Sequence, residues 1–156
     1  MQDTSEWIDS YAAGPRLLRQ AVAETPASGW NLAPVPGRWS IKQVVCHLAD
    51  AEIAYADRMK RVIAEDCPTF FELDPNVLLP SLHCEARPWE KELTLIESVR
   101  IHMLPILRCC TPDDFRRAGV HSTEGSMTLL VLLERITQHI PHHLVFIEEK
   151  LRAMGV

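Results

Sequence analysis

Hydrophobic positions recur at helical spacing in four stretches of the chain, and no stretch sustains the period-two alternation of a strand. The last stretch is the most regular. Leu129, Leu133, Ile136, Ile140, Leu144, Ile147 and Leu151 are separated by 4, 3, 4, 4, 3 and 4 residues, the stripe of a helix facing a bundle core. This helix should begin near Ser126, with Gly155 as its terminator. An earlier stretch carries Ile41, Val44, Val45, Leu48, Tyr55, Met59, Val62 and Ile63. Ser40-Ile41-Lys42-Gln43 precedes it as a capping box, in which serine and glutamine each satisfy an orphan backbone donor. Cys67-Pro68 ends it.

The remaining two helices are less regular. One covers residues 4–24, with Asp3 and Thr4 as candidate caps, and the Gly14-Pro15 pair is expected to kink or interrupt it. Another opens with Pro88 at its first position, where a missing N–H costs little. It runs from residue 89 to about 110 and bends at Pro105. Thr111-Pro112-Asp113-Asp114 reads as a turn or the start of a short helix. Residues 26–37, with Pro26, Pro34, Pro36, Gly29 and Gly37, form a loop. Residues 68–87 contain Pro68, Pro75 and Pro80 and read as a long loop, expected to lie as a flap over one end of the bundle. The expected architecture is all-α: a four-helix bundle in a single domain, residues 1–156.

Composition narrows the partners. Hydrophobic residues make up 47% of the chain and charged residues 24%, with a formal net charge of −5. That balance disfavours nucleic acid and anionic membrane surfaces. The longest apolar run, Leu129 to Leu133, is far too short to cross a bilayer. Met1 to Glu6 lacks the basic and apolar regions of a secretory signal. Five cysteines (Cys46, Cys67, Cys84, Cys109 and Cys110) contain no C-x-x-C pair, which fits reduced thiols and a cytoplasmic location. Vicinal Cys109-Cys110 reads as two small buried hydrophobes.

His139 and His143 carry the chemistry. Four apart on one helix, they project from neighbouring positions beside the apolar stripe, where bundles build metal sites from facing side chains. His47 occupies the corresponding edge of the second helix and is the best third ligand. His102 is its competitor. His142 points away from the stripe and should be solvated, while His83 and His121 fall in predicted loops. The plainer alternative is three boundary histidines hydrogen-bonded to neighbours or water. Pro141 bends the helix between His139 and His143 and either breaks or sets their geometry. Cys46, about 100° around the helix from His47, should not share its ion. Asp50 is either an orienting acceptor for His47 or a solvated carboxylate. Glu148 and Glu149 read as an outer charged face, and Trp30, Trp39 and Trp89 as loop anchors or, less commonly for such residues, the lining of a pocket mouth.

The segment from Pro36 to Glu52 contains Gly37-Arg38-Trp39-Ser40 at the start of a helix, followed by His47-Leu48-Ala49-Asp50. With Arg58, residues 65–69 and the closing His139-x-x-x-His143, it resembles the DinB-like superfamily, specifically its YfiT-like metal-dependent hydrolase branch. The resemblance spans essentially the whole chain. It implies a four-helix bundle with one divalent metal, nickel or zinc, on His47, His139 and His143, often in a homodimer. It also implies a small-molecule substrate, in some branches with a low-molecular-weight thiol as cosubstrate in S-transfer. Two departures stand out: Cys46 where the family often has a further histidine, and Pro141 inside the second motif. Three neutral ligands leave an ion its full charge and an open position, which suits water activation or thiolate formation. A non-catalytic helical module binding metal or thiol is the alternative.

Overall fold

The computed structural model describes residues 4–156; the candidate cap Asp3 lies outside them. Among the described residues there are five α-helices: α1 (Thr4–Val22), α2 (Ile41–Ala64), the short α3 (Pro75–Ser81), α4 (Trp89–Cys109) and α5 (Leu129–Ala153). The four long ones form the expected bundle. Packing runs α1 to α5, α5 to α2, α2 to α4 and α4 back to α1. Helices α1 and α2, consecutive among the four, therefore stand diagonally opposite, as do α4 and α5. Residues 23–40 and 110–128 make these diagonal crossings, which explains the long connections between helices.

Local signals act largely as the sequence requires. The Ser40 side chain accepts from the Gln43 N–H (3.2 Å), and the Ser40 N–H donates to the Gln43 side chain (2.8 Å). At the far end of α5, Gly155 adopts φ +80°. There the Gly155 N–H reaches the Arg152 carbonyl and the Val156 N–H the Leu151 carbonyl, a Schellman closure. Several boundaries differ: α1 ends at Val22 and α2 at Ala64, each a few residues short of the expected end. Pro88 stands just before α4 rather than inside it, and α5 starts at Leu129, capped by the Thr128 hydroxyl, rather than near Ser126.

The expectation of no strands is corrected. Strands β1 (Thr69–Phe70), β2 (Ala118–His121) and β3 (Gly125–Thr128) form a small sheet, β1 parallel and β3 antiparallel to β2. Gly119 makes the β1–β2 approach possible, since a Cβ there would lie 2.2 Å from the Phe70 ring and 2.6 Å from the Pro68 carbonyl oxygen. The 68–87 segment is likewise not a structureless flap. It contains β1 and α3, the latter started by Asp74 capping the Asn76 N–H with Pro75 in its first turn.

Gly14-Pro15 does not interrupt α1, because a neighbour replaces what proline removes. Pro15 cannot donate to the Tyr11 carbonyl, and Arg100 of α4 donates to that oxygen instead (2.6 Å). Gly14 makes room, since a Cβ there would sit 2.2 Å from Arg100 Nη1. The same guanidinium pairs with Glu52 of α2 (Nε to Oε1, 2.9 Å) and donates to the Ile136 carbonyl of α5 (2.9 Å). Arg100 thus ties all four long helices at the junction of two apolar clusters, one around Tyr11, Met59, Met103 and Leu133, the other around Leu18, Val45, Ile96 and Ile140. Burial raises the Glu52 carboxyl pKa, and the Arg100 charge opposes the rise.

Candidate metal centre

His47 on α2 and His139 and His143 on α5 come together in a three-ring cluster. Ring centroids are 4.8 Å apart for His47–His139, 4.9 Å for His47–His143 and 4.8 Å for His139–His143. One potential ligand atom from each lies within 4.8 Å of those of the other two. Helix α5 runs unbroken through Pro141, so the bend does not separate the pair. His102 is exposed on α4 and takes no part. His142 is exposed, as its position around the helix requires.

The donor set fits a divalent cation. His47 Nε2 and His139 Nε2 are 3.0 Å apart. Two Zn–N bonds of about 2.0–2.1 Å meeting near a right angle would span roughly that distance. The Nδ1 atoms of His139 and His143 are buried without a hydrogen-bond partner among the described residues. Metal ligation requires neutral imidazole, and the cluster favours it. Burial, then the neighbouring His47 and His143 rings, push His139 down to about 3. Burial, then His47, push His143 down to about 4. Burial also lowers His47, partly offset by Asp50.

Neither earlier reading of Asp50 holds. Its carboxylate takes a two-pronged bond from Arg87 (2.9 Å each), and Arg87 also pairs with Glu92. That network pins the segment before α4 against α2 one turn beyond His47. Cys46 faces away from the cluster and packs with Leu79 and Cys84. Cys109 is exposed rather than buried, and Cys110 is half-buried. Trp30 and Trp89 stack at 3.9 Å as loop anchors, whereas the Trp39 ring lies 5.1 Å from that of His47. Glu148 and Glu149 are exposed.

Two cavities of about 210 Å³ each reach the cluster. His47 and His139 line one, together with Tyr55, Arg58, His121 and Glu124, and the 72–78 segment forms another wall. Arg58 donates to the Phe71 carbonyl (2.5 Å) and holds that wall to α2. His121 is not a loop residue: it lies on β2 and is buried at 4% exposure. Its Nδ1 accepts from the Thr123 N–H (3.3 Å), which places the ring proton on Nε2. This residue's place is not legible from periodicity, because β2 is too short to show one. His143 lines the second cavity with Arg38, Trp39, Phe146 and Lys150.

The DinB superfamily profile matches residues 10–147, so the chain belongs to the DinB superfamily. Among similar proteins, one from Geobacillus thermodenitrificans named "Putative metal-dependent hydrolase" is 31% identical over 143 residues, covering 91% of this chain and 80% of the relative. YfiT from Bacillus subtilis, also named "Putative metal-dependent hydrolase", is 27% identical over 155 residues, covering 99% of this chain and 87% of the relative. The solved structure of YfiT, described as "a probable metal-dependent hydrolase with an unusual four-helix bundle topology", matches with a TM-score of 0.90, covering 97% of this chain and 87% of that one. The diagonal placement of consecutive long helices is one way in which this bundle departs from an up-down arrangement. No helix of the described residues is long and apolar enough to cross a membrane.

Proposed function

We propose that His47, His139 and His143 hold one divalent ion, zinc or nickel, and that the chain, one domain over residues 1–156, is a metal-dependent hydrolase of a small molecule. The observation that carries this reading is the convergence of three neutral rings from two helices beside a cavity, with no carboxylate or thiolate in the cluster. A bound divalent ion supplies Lewis-acid polarisation and acidifies a water or thiol beside it.

The protein's own groups supply the rest. Burial keeps the three rings neutral, and Asp50, held by Arg87, adds negative potential near His47. Glu124 is paired with Arg135, which lowers its pKa and keeps it ionised at the cavity edge. His121 offers Nε2–H as a donor toward an oxygen that gains charge, held in that tautomer by Thr123. The 72–78 segment walls the cavity with Glu72, Leu73, Pro75 and Leu78.

A second reading is transfer of a low-molecular-weight thiol to an electrophile, supported by the two cavities that reach the cluster, which give room for two reactants beside one ion. The test compares zinc- and nickel-loaded protein with chelated protein on p-nitrophenyl esters and on monobromobimane with a panel of cellular thiols. Metal-dependent ester cleavage absent from His139→Ala supports the hydrolase, and metal-dependent conjugation supports the transferase. If the ion changes neither rate, the enzymatic reading fails.

A further inference from the structure

The second cavity carries positive charge that the protein leaves unneutralised. Arg38 and Lys150 both line it, with Trp39, Val44, His143 and Phe146, and no carboxylate is among its lining residues. Lys150 is 2% exposed, and its ammonium makes one hydrogen bond, to the Phe146 carbonyl (3.1 Å). An ammonium has three donors, so two are left over. The Arg38 guanidinium has no ion pair or hydrogen bond among the described residues. It lies instead beside the Phe146 ring, whose centroid is 6.0 Å from Arg38 Cζ and 5.9 Å from Lys150 Nζ. The carboxylate acting most on Lys150 is that of exposed Glu149, and no ion pair joins them. In a chain of net charge −5, two uncompensated cations beside one aromatic ring stand apart.

Burying an ammonium without a counter-charge is costly, and the nearby Arg38 charge makes it worse, lowering the Lys150 pKa after burial itself. An anion between the two relieves both effects. The turn that carries Arg38 is built to project it: Gly37 adopts φ +71° with open space around it, and the Arg38 N–H closes the turn on the Val35 carbonyl (3.1 Å). The remaining walls are apolar or aromatic. The cavity also adjoins the histidine cluster, since His143 is part of its lining and the Trp39 ring is 5.1 Å from that of His47.

We propose that this cavity is a subsite for an organic anion with an apolar or aromatic stem, its carboxylate or phosphate held between Arg38 and Lys150 and its stem lying along Phe146 and Trp39 toward His143. The planar arginine fork suits either head group in two-pronged fashion. Anion binding stands without any metal; its part in the reaction rests on the function proposed above.

The test is calorimetric titration of metal-free protein at low salt with benzoate, phenyl phosphate and the neutral isostere benzamide. At least one anion should bind tenfold or more tighter than benzamide, and the tighter of the two assigns the head group. Arg38→Gln, an exposed change that leaves the core intact, should weaken that anion at least fivefold. Lys150→Met should do the same where it folds, and His139→Ala should leave anion binding in place. Equal binding of benzamide, no detectable binding of either anion, or an unchanged affinity in Arg38→Gln each overturns the proposal. Loss of the metal reading alone does not touch these outcomes.

Discussion

Arg100→Met is the most informative stability perturbation. The wild-type guanidinium donates to the Glu52 carboxylate and to the Tyr11 and Ile136 carbonyls, and the side chains of the pair are 1% and 0% exposed. Methionine fills similar space but leaves the Glu52 charge buried and the Tyr11 oxygen, already deprived by Pro15, without a donor. Breaking a buried pair from one side costs about 3–5 kcal/mol. An unfolding entropy of about 2.1 cal/mol/K per residue gives roughly 0.33 kcal/mol/K for this chain, so Tm should fall roughly 9–15 °C. Calorimetry of the chelated protein measures that drop, and urea unfolding checks the free energy. The double variant Glu52→Met/Arg100→Met removes both charges, so its loss should fall well short of the sum of the two single losses. A drop under about 1 kcal/mol in Arg100→Met, or strict additivity in the cycle, would refute the idea that this pair ties the helices together.

Other perturbations probe separate parts of the structure. Gly119→Ala should destabilise by about 1–3 kcal/mol through overpacking against Phe70 and the fixed Pro68 carbonyl, read as a lower urea midpoint. Native-state alkylation should be fast at exposed Cys67 and Cys109 and absent at Cys46 and Cys84. Burial and the Cys84 hydrogen bond raise the Cys46 pKa, so its thiol stays protonated as pH rises from 7 to 9.5 and should remain unlabelled until urea is added. Mass spectrometry of labelled peptides checks both points. Zinc or nickel at one hundred times its Kd should stabilise the wild type by about 2.7 kcal/mol, roughly 8 °C in Tm, and should leave His143→Ala unshifted.

The bundle and the histidine cluster were legible because both rest on helical periodicity. The stripe from Leu129 to Leu151 and the Ser40 capping box located α5 and α2, and their edges located His139, His143 and His47. The sheet was not legible. Strands of two to four residues are too short to display alternation, and β1 pairs with β2 from a distant part of the chain. Helix α3 had a readable start in Asp74-Pro75 that three prolines across 68–87 obscured. Arg100 resembled any arginine within a helix, because its partners Glu52, Tyr11 and Ile136 come from three other helices. The charge shared by Arg38 and Lys150 was hidden for the same reason, since a loop and a distant helix meet only in the folded chain.

Metal content of untagged protein purified without chelators tests the central claim most directly. Elemental analysis should find one equivalent of zinc or nickel per chain in the wild type. His47→Ala, His139→Ala and His143→Ala should each lack it while keeping the helical circular dichroism of the parent. A wild type that stays metal-free when supplied with both ions, or a His47→Ala protein that still holds a full equivalent, would contradict the assignment.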